Sequence, residues 1–247
     1  MTNSQYTHLI IVPGHGIWKG SNDGYKTEDW WLESFQVEGH DHLLFIEHIK
    51  IGLQELRKDP CAILLFSGGQ TKKQAGPVSE AQSYYALADK LGLIGDDLRD
   101  RVSTEEFARD SFENVLFGLA RFHELAERYP EQITIPGFDF KRSRFLDHHF
   151  PALNFPVEKV NYIGSDPRPD YEKGSSEYKK YFSDLANAEH KNALALFEQD
   201  PFGTGAVLSK KRKNRNPFKR YHGYLQSNEV LKPFFTESPS KVLKTPW

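Results

Sequence analysis

The sequence predicts an α/β protein, a Rossmann-like three-layer α/β/α sandwich with a mainly parallel sheet. Three observations carry that expectation. Four short apolar runs, HLIIVP (8–13), CAILLF (61–66), QITIPG (132–137) and KVNYIG (159–164), have the length and composition of buried strands. Segments with helical spacing lie between them. Each run leads into glycine or polar residues, where strands of an open sheet deliver their loops.

Taken in order, the first run ends in PGHG, and about 25 residues separate Gly14 from Gly39 before the next helical pattern. Ordinary βα loops hold roughly 2–6 residues, so this stretch reads as a lid or insertion, whose Trp30 and Trp31 either anchor it to the body or stack on a ligand. Leu43, Ile46, Ile49, Leu53 and Leu56 then trace one helix face. The second run ends in FSGGQT. Ala81, Tyr84, Ala88 and Leu91 mark a second helix, with Ser79 as N-cap, Gln82 completing a capping box and Glu80 in the first turn. Phe112, Val115, Leu116, Leu119 and Leu125 mark a third, for which Asp110 and Ser111 are rival N-caps. The third run enters GFDFKRSRF, and the fourth enters SDPR.

Residues 1–170 are expected to form the Rossmann-like unit. Residues 171–247 are expected to form a C-terminal extension packing on the same domain, partly irregular, with a short helix near 185–197. Its basic run 209–223, interleaved with Phe218 and Tyr221, reads either as a solvated loop or as a nuclear-localisation or RNA-contacting segment. The loop is the commoner case, and nucleic acid is not the favoured partner. A formal charge of -2 provides no global pull toward nucleic acid or anionic membrane, so any anion site must be local. One cysteine, Cys61, rules out a disulfide framework and a cysteine-based zinc site. No apolar stretch approaches the ~20 residues that span a bilayer, and the N-terminus lacks a signal-peptide pattern, so a soluble cytoplasmic protein is expected.

The strand-end rule gathers the polar candidates on one edge. They are Gly14, His15 and Gly16; Ser67, Gly68, Gly69, Gln70 and Thr71; Asp139, Lys141, Arg142 and Arg144; and Ser165, Asp166 and Arg168. The SGG turn reads either as a nest whose N–H groups face an anion or as a tight turn that needs positive φ. It lacks the Gly-Lys-Ser/Thr of a nucleotide triphosphatase, and PGHGIWKG fails the dinucleotide fingerprint because its third glycine would fall at Lys19. No GxSxG hydrolase elbow is present. His15 is a candidate acid/base by position. Three cations within four positions, Lys141, Arg142 and Arg144, need either an anionic ligand or carboxylates such as Glu80, Glu105 or Asp110. DHH (147–149) and GHDH (39–42) lack partnering clusters, so no metal is expected, and no cofactor is assignable. In ARDSFEN, capping explains Asp110 or Ser111 with Glu113, and leaves Arg109 and Asn114 over.

The order of these elements, PGHG, FSGGQT, SEA, ARDSFEN and GFDFKRSRF, resembles the YdcF/SanA-like family, across about residues 8–165. Ser67, Gly68 and Gly69 match its Ser-Gly-Gly, and Ser79, Glu80 and Ala81 its Ser-Glu-Ala. Ser111, Glu113 and Asn114 match its next helix start, with Ser for Thr, and Arg144 its last arginine. Lys141 stands where bacterial relatives carry His. The resemblance implies a Rossmann-like fold with a polar pocket at the strand ends, binding a nucleotide-like or adenosyl-containing small molecule.

Together these readings anticipate a small-molecule-handling protein, a hydrolase or transferase on a phosphorylated, nucleotide-like or glycosidic metabolite. Its acid/base candidates are Glu80, Glu113 and His15. Its ligand contacts would come from Gly14, Gly16, the Ser67–Gly69 turn, Ser79, Arg109, Ser111, Asn114, Lys141 and Arg144. The alternatives are a non-catalytic ligand sensor, or an interaction protein acting through its basic segment.

Overall fold

In the computed structural model, which describes residues 5–235 and 245–247, each apolar run is a strand and each periodic segment a helix lying against it. The order is β1 (His8–Pro13), β2 (Ile17–Trp18), β3 (Trp30–Trp31), α1 (Asp41–Lys58), β4 (Ala62–Ser67), α2 (Glu80–Lys90), β5 (Val102–Glu105), α3 (Ser111–Ala126), β6 (Gln132–Phe138) and β7 (Val160–Ser165). The main sheet runs β5-β4-β1-β6-β7 and every pairing in it is parallel, with His8 opposite both Ala62 and Gln132.

Side chains alternate across a strand, so each strand feeds two cores. Ile10, Val12, Leu64 and Phe66 pack with α1 and α2 on one face, while Leu9, Ile11, Ile63 and Leu65 pack with α3 on the other. The result is the expected α/β/α sandwich. β5 is an addition to the four expected strands. It has four residues, only Val102 among them strongly apolar, and its last residue is Glu105.

The chain leaves β1 for β4 and β5 on one side, then crosses to β6 and β7 on the other. That reversal opens a crevice between the carboxyl ends of β1 and β6, the usual ligand position in such sheets. The long insertion folds as a β2–β3 hairpin with short turns. Trp30 is buried against Phe45 and Tyr84 and its Nε1 donates to the Gly24 carbonyl at 2.7 Å, so it anchors the insertion; Trp31 lies half-buried under the Lys19 ammonium. The insertion is also pinned over the crevice. Gln36 Nε2 donates to the His15 carbonyl at 2.9 Å, and Lys72 pairs with Glu33 at 2.5 Å.

After β6 the chain makes a π-helical turn (Arg144–His149) into α4 (Phe150–Ala152), and after β7 it continues through α5 (Ser176–Glu189), a second π-helical turn (His190–Leu194), α6 (Ala195–Gln199) and α7 (Ala206–Asn214). Phe197, Leu208, Tyr224, Leu231 and Phe234 are buried in the same apolar cluster as α3. Among the described residues no helix is long and apolar enough to cross a membrane.

Candidate functional site

β1 and β4 end side by side, and the Gly14 N–H donates to the Ser67 carbonyl at 2.7 Å. Glu80 lies across both glycine loops. A Cβ on Gly14 would stand 2.5 Å from Glu80 Cβ, and one on Gly68 would stand 2.6 Å from Glu80 Oε2, so these two positions must lack side chains for Glu80 to sit there. The Thr71 hydroxyl donates to Glu80 Oε1 at 2.5 Å. Burial raises the pKa of this carboxyl, opposed by Thr71, Lys72, Arg215 and Lys141.

The Ser67–Gly69 turn is not an anion nest. Its Gly68 and Gly69 N–H groups donate to the carbonyls of Glu105 (2.9 Å) and Ala108 (2.7 Å), leaving none for a ligand. The Ser67 hydroxyl donates to Glu105 Oε2 at 2.7 Å and accepts from Asn114 Nδ2 at 2.9 Å. Asn114, which a cap does not need, therefore ties α3 to the end of β4. Glu105, at the end of β5, is a hydrogen-bonding hub. It also accepts from the Phe107 N–H at 2.7 Å, the Ala108 N–H at 3.3 Å and the Tyr224 hydroxyl at 3.2 Å, and burial pushes its pKa up to about 7 against those donors.

Asp110 is the N-cap of α3, accepting from the Glu113 N–H at 2.9 Å. Ser111 faces elsewhere, with its hydroxyl 2.7 Å from Nε2 of the buried His149. Arg109 donates from its backbone and guanidinium to Glu113, and Arg212 of α7 reaches Asp110 at 2.6 Å and Glu113 at 3.3 Å. Glu113 is thus held by two guanidinium groups, which removes it as a free acid or base; Arg109 is likewise committed. Ser79 caps α2 by accepting from the Gln82 N–H at 2.9 Å, as the capping box requires, so it too is structural.

The crevice between β1 and β6 brings together two expected residues. Lys141 Nζ lies 3.4 Å from His15 Nδ1 and above the rings of Phe138 and Phe140. A charged lysine can only donate, so Nδ1 is the acceptor and Nε2 carries the proton. That Nε2 is buried and has no hydrogen-bond partner. Burial drives the His15 pKa well below its ordinary value, aided by Lys141, His48, Arg144 and Arg215, so the ring is neutral. Lys141 is lowered to about 8, by burial and then by Arg144. Gly16 backs the loop against Phe45, where no side chain fits.

The other strand-end cations are paired, though not with Glu80, Glu105 or Asp110 as anticipated. Arg142 turns to Asp139 and the Tyr162 carbonyl, Arg168 pairs with Glu47, and Arg144 meets Glu189 of α5 at 3.1 Å. Asp41, at the start of α1, has its pKa pushed up to about 7 by burial, against the pull of Lys141 and His40. Asp41, Glu189 and Arg215 have no local signature. They act on the Lys141 charge from the insertion boundary and the C-terminal extension, a coupling that only the tertiary fold sets up.

Two shallow hollows, of about 290 and 220 Å³, lie along β5, beside Tyr85 and Thr104 and beside Phe107 and Arg220. Neither includes His15 or Lys141, so charge and topology rather than hollow size locate the site. Among the described residues no group of three His, Cys, Asp or Glu could hold a metal ion.

Comparison with known proteins finds a relative in Saccharomyces cerevisiae, the uncharacterized protein YOR238W, 39% identical over 267 aligned positions that cover 89% of this chain and 86% of the yeast one. No protein-family model matches the chain. Among solved structures, a bifunctional NMN adenylyltransferase/ADP ribose pyrophosphatase from Francisella tularensis aligns at 16% identity with a TM-score of 0.31, over 92% of this chain and 55% of that one. A likeness at that level carries no argument.

Proposed function

The chain belongs to the family of the yeast protein YOR238W, a membership that brings no activity with it, and we propose its function from the site: binding of a small phosphorylated or nucleotide-like anion in the crevice between β1 and β6. The observation that carries this reading is Lys141, a cation with no carboxylate partner among the described residues, set against His15, whose buried Nε2 has no hydrogen-bond partner, at the point where the sheet reverses direction. His15, held neutral, serves as a hydrogen-bond donor through Nε2 rather than as a base. Glu80, whose pKa burial raises, is the acid of any hydrolase or transferase step. The placement of Glu80 and Arg144 around this crevice also supports reading the family as a fungal-type branch of the YdcF/SanA-like proteins.

Calorimetric titration with inorganic phosphate and with AMP tests the binding. Lys141→Met should weaken both by about 10-fold or more, the loss of one charge-assisted contact of roughly 1.5–3 kcal/mol. The sign with pH follows from the lysine. It is charged below about 8, so affinity should fall as pH rises through that value. Affinity unchanged in Lys141→Met, or rising above that pH, would remove the reading. Turnover is tested separately, by screening phosphate esters and glycosides. For any substrate found, Glu80→Gln should abolish product formation while leaving binding nearly intact, and a sensor would show binding with no turnover to lose.

A further inference from the structure

His149 is a buried imidazole that the anion crevice does not use. The Ser111 hydroxyl lies 2.7 Å from its Nε2 and makes no other hydrogen bond among the described residues, so the hydroxyl donates and Nε2 accepts. Nδ1 then carries the ring proton, and it is buried without a partner. Ser111 opens α3 and is partly exposed, whereas His149 is wholly buried, and burial keeps its ring neutral. Packing rather than a carboxylate orients that ring. Phe112, Phe145 and Phe197 each meet it edge-on, with centroids 5.7, 5.3 and 4.6 Å away. Phe145 and His149 share the π-helical turn, an irregularity frequent at functional sites. Asp110, beside Ser111 in the chain, is taken by Arg212 and the Glu113 N–H.

The first N–H groups of a helix find no acceptor inside it, and among the described residues those of Ser111 and Phe112 donate to no other group. In acyl-transfer sites built where a strand turns into a helix, the N–H after the nucleophile receives the oxyanion, and Phe112 holds that position after β5. We propose that Ser111 and His149 are a nucleophile and its base, and that the pair cleaves activated esters through an acyl-serine. Ser111 Oγ bonds to the carbonyl carbon while its proton passes to His149 Nε2, and the carbonyl oxygen takes up its charge beside the Phe112 N–H. The C–O bond to the leaving group then breaks, and the departing oxygen removes the proton from Nε2. Water next gives a proton to Nε2 as its oxygen bonds to the acyl carbon, and Oγ leaves with that proton, restoring the pair. No carboxylate steadies the imidazolium through Nδ1, a lack that costs a Ser-His-Asp triad roughly 10⁴-fold in rate. Esters of phenols, whose leaving groups need little help, are therefore the substrate class, in preference to alkyl esters and amides.

Incubation of the full chain with a fluorophosphonate, followed by peptide mapping, tests the nucleophile. The phosphonyl group should be found on Ser111, and Ser111→Ala should stay unlabelled. With p-nitrophenyl acetate, the wild type should release a burst of about one equivalent of p-nitrophenolate per chain, and Ser111→Ala none. His149→Gln, with its melting temperature unchanged, should slow labelling and burst by about 100-fold or more, the usual contribution of a positioned base. If that variant melts early, the wild-type label and burst decide alone. A wild type with no label on Ser111, or with a burst that survives Ser111→Ala, overturns the proposal. So does labelling of Ser111 at the same rate in a folded His149→Gln.

Discussion

Arg212→Ala is expected to destabilise the protein by about 3–5 kcal/mol, the usual consequence of stripping the partner from a buried charge. Arg212, Asp110 and Glu113 have side chains only 11, 9 and 3% exposed, so water cannot replace the guanidinium. Glu113 keeps Arg109, but Asp110 retains only the Glu113 N–H that it caps. Burial alone would raise the Asp110 pKa, yet Arg212 holds it down at about 2. A carboxyl whose folded pKa lies below its unfolded value near 3.8 contributes stability above that unfolded value and loses it as pH falls through about 2. Urea unfolding should therefore show the wild type losing stability over that acid range, and the alanine variant, already without the pair, losing much less. A loss in Arg212→Ala below about 1 kcal/mol would mean that the pair behaves like a surface bridge.

Glu105→Ala is the second large effect, expected at roughly 3 kcal/mol or more, because it leaves four donors without their acceptor at about 1–3 kcal/mol for a buried unsatisfied group. Those donors are the Ser67 and Tyr224 hydroxyls and the Phe107 and Ala108 N–H groups. The pH signature is opposite to that of Asp110. Glu105 titrates at about 7 in the fold against 4.5 unfolded, so its penalty is fully present above about 7, shrinks as pH falls, and is gone below 4.5. Unfolding midpoints should rise on moderate acidification of the wild type and stay flatter in Glu105→Gln. That variant sacrifices one acceptor but cannot ionise. A pH response identical in the two would place the ionisation elsewhere.

The sheet was legible because β1, β4, β6 and β7 each hold a short, mostly apolar run that leads into glycine or polar residues. α2 was legible down to its cap, since a capping box joins residues three apart. β5 was not. Four residues alternating around Ser103 and Thr104 at the sheet edge carry too little hydrophobic signal. Half of the site was equally hidden. The SGG turn looked like a nest until its N–H groups proved to be bound by Glu105 and Ala108, and Arg212 meets Asp110 across 102 residues of chain. Ion pairs at that separation leave no periodicity to read. Lys141 and His15 could be placed on one edge by the strand-end rule, but their contact depends on β6 pairing with β1.

The Arg212 bridge also has a consequence for the order in which the protein assembles. Synthesis runs from the N-terminus, and every strand of the main sheet is made by Ser165, well before Arg212 follows. A growing chain can complete the sheet while Asp110 still lacks its counter-ion. The framework is thus synthesised before its electrostatic lock, and a truncation upstream of Arg212 removes that lock together with Tyr224, Leu231 and Phe234 of the α3 core.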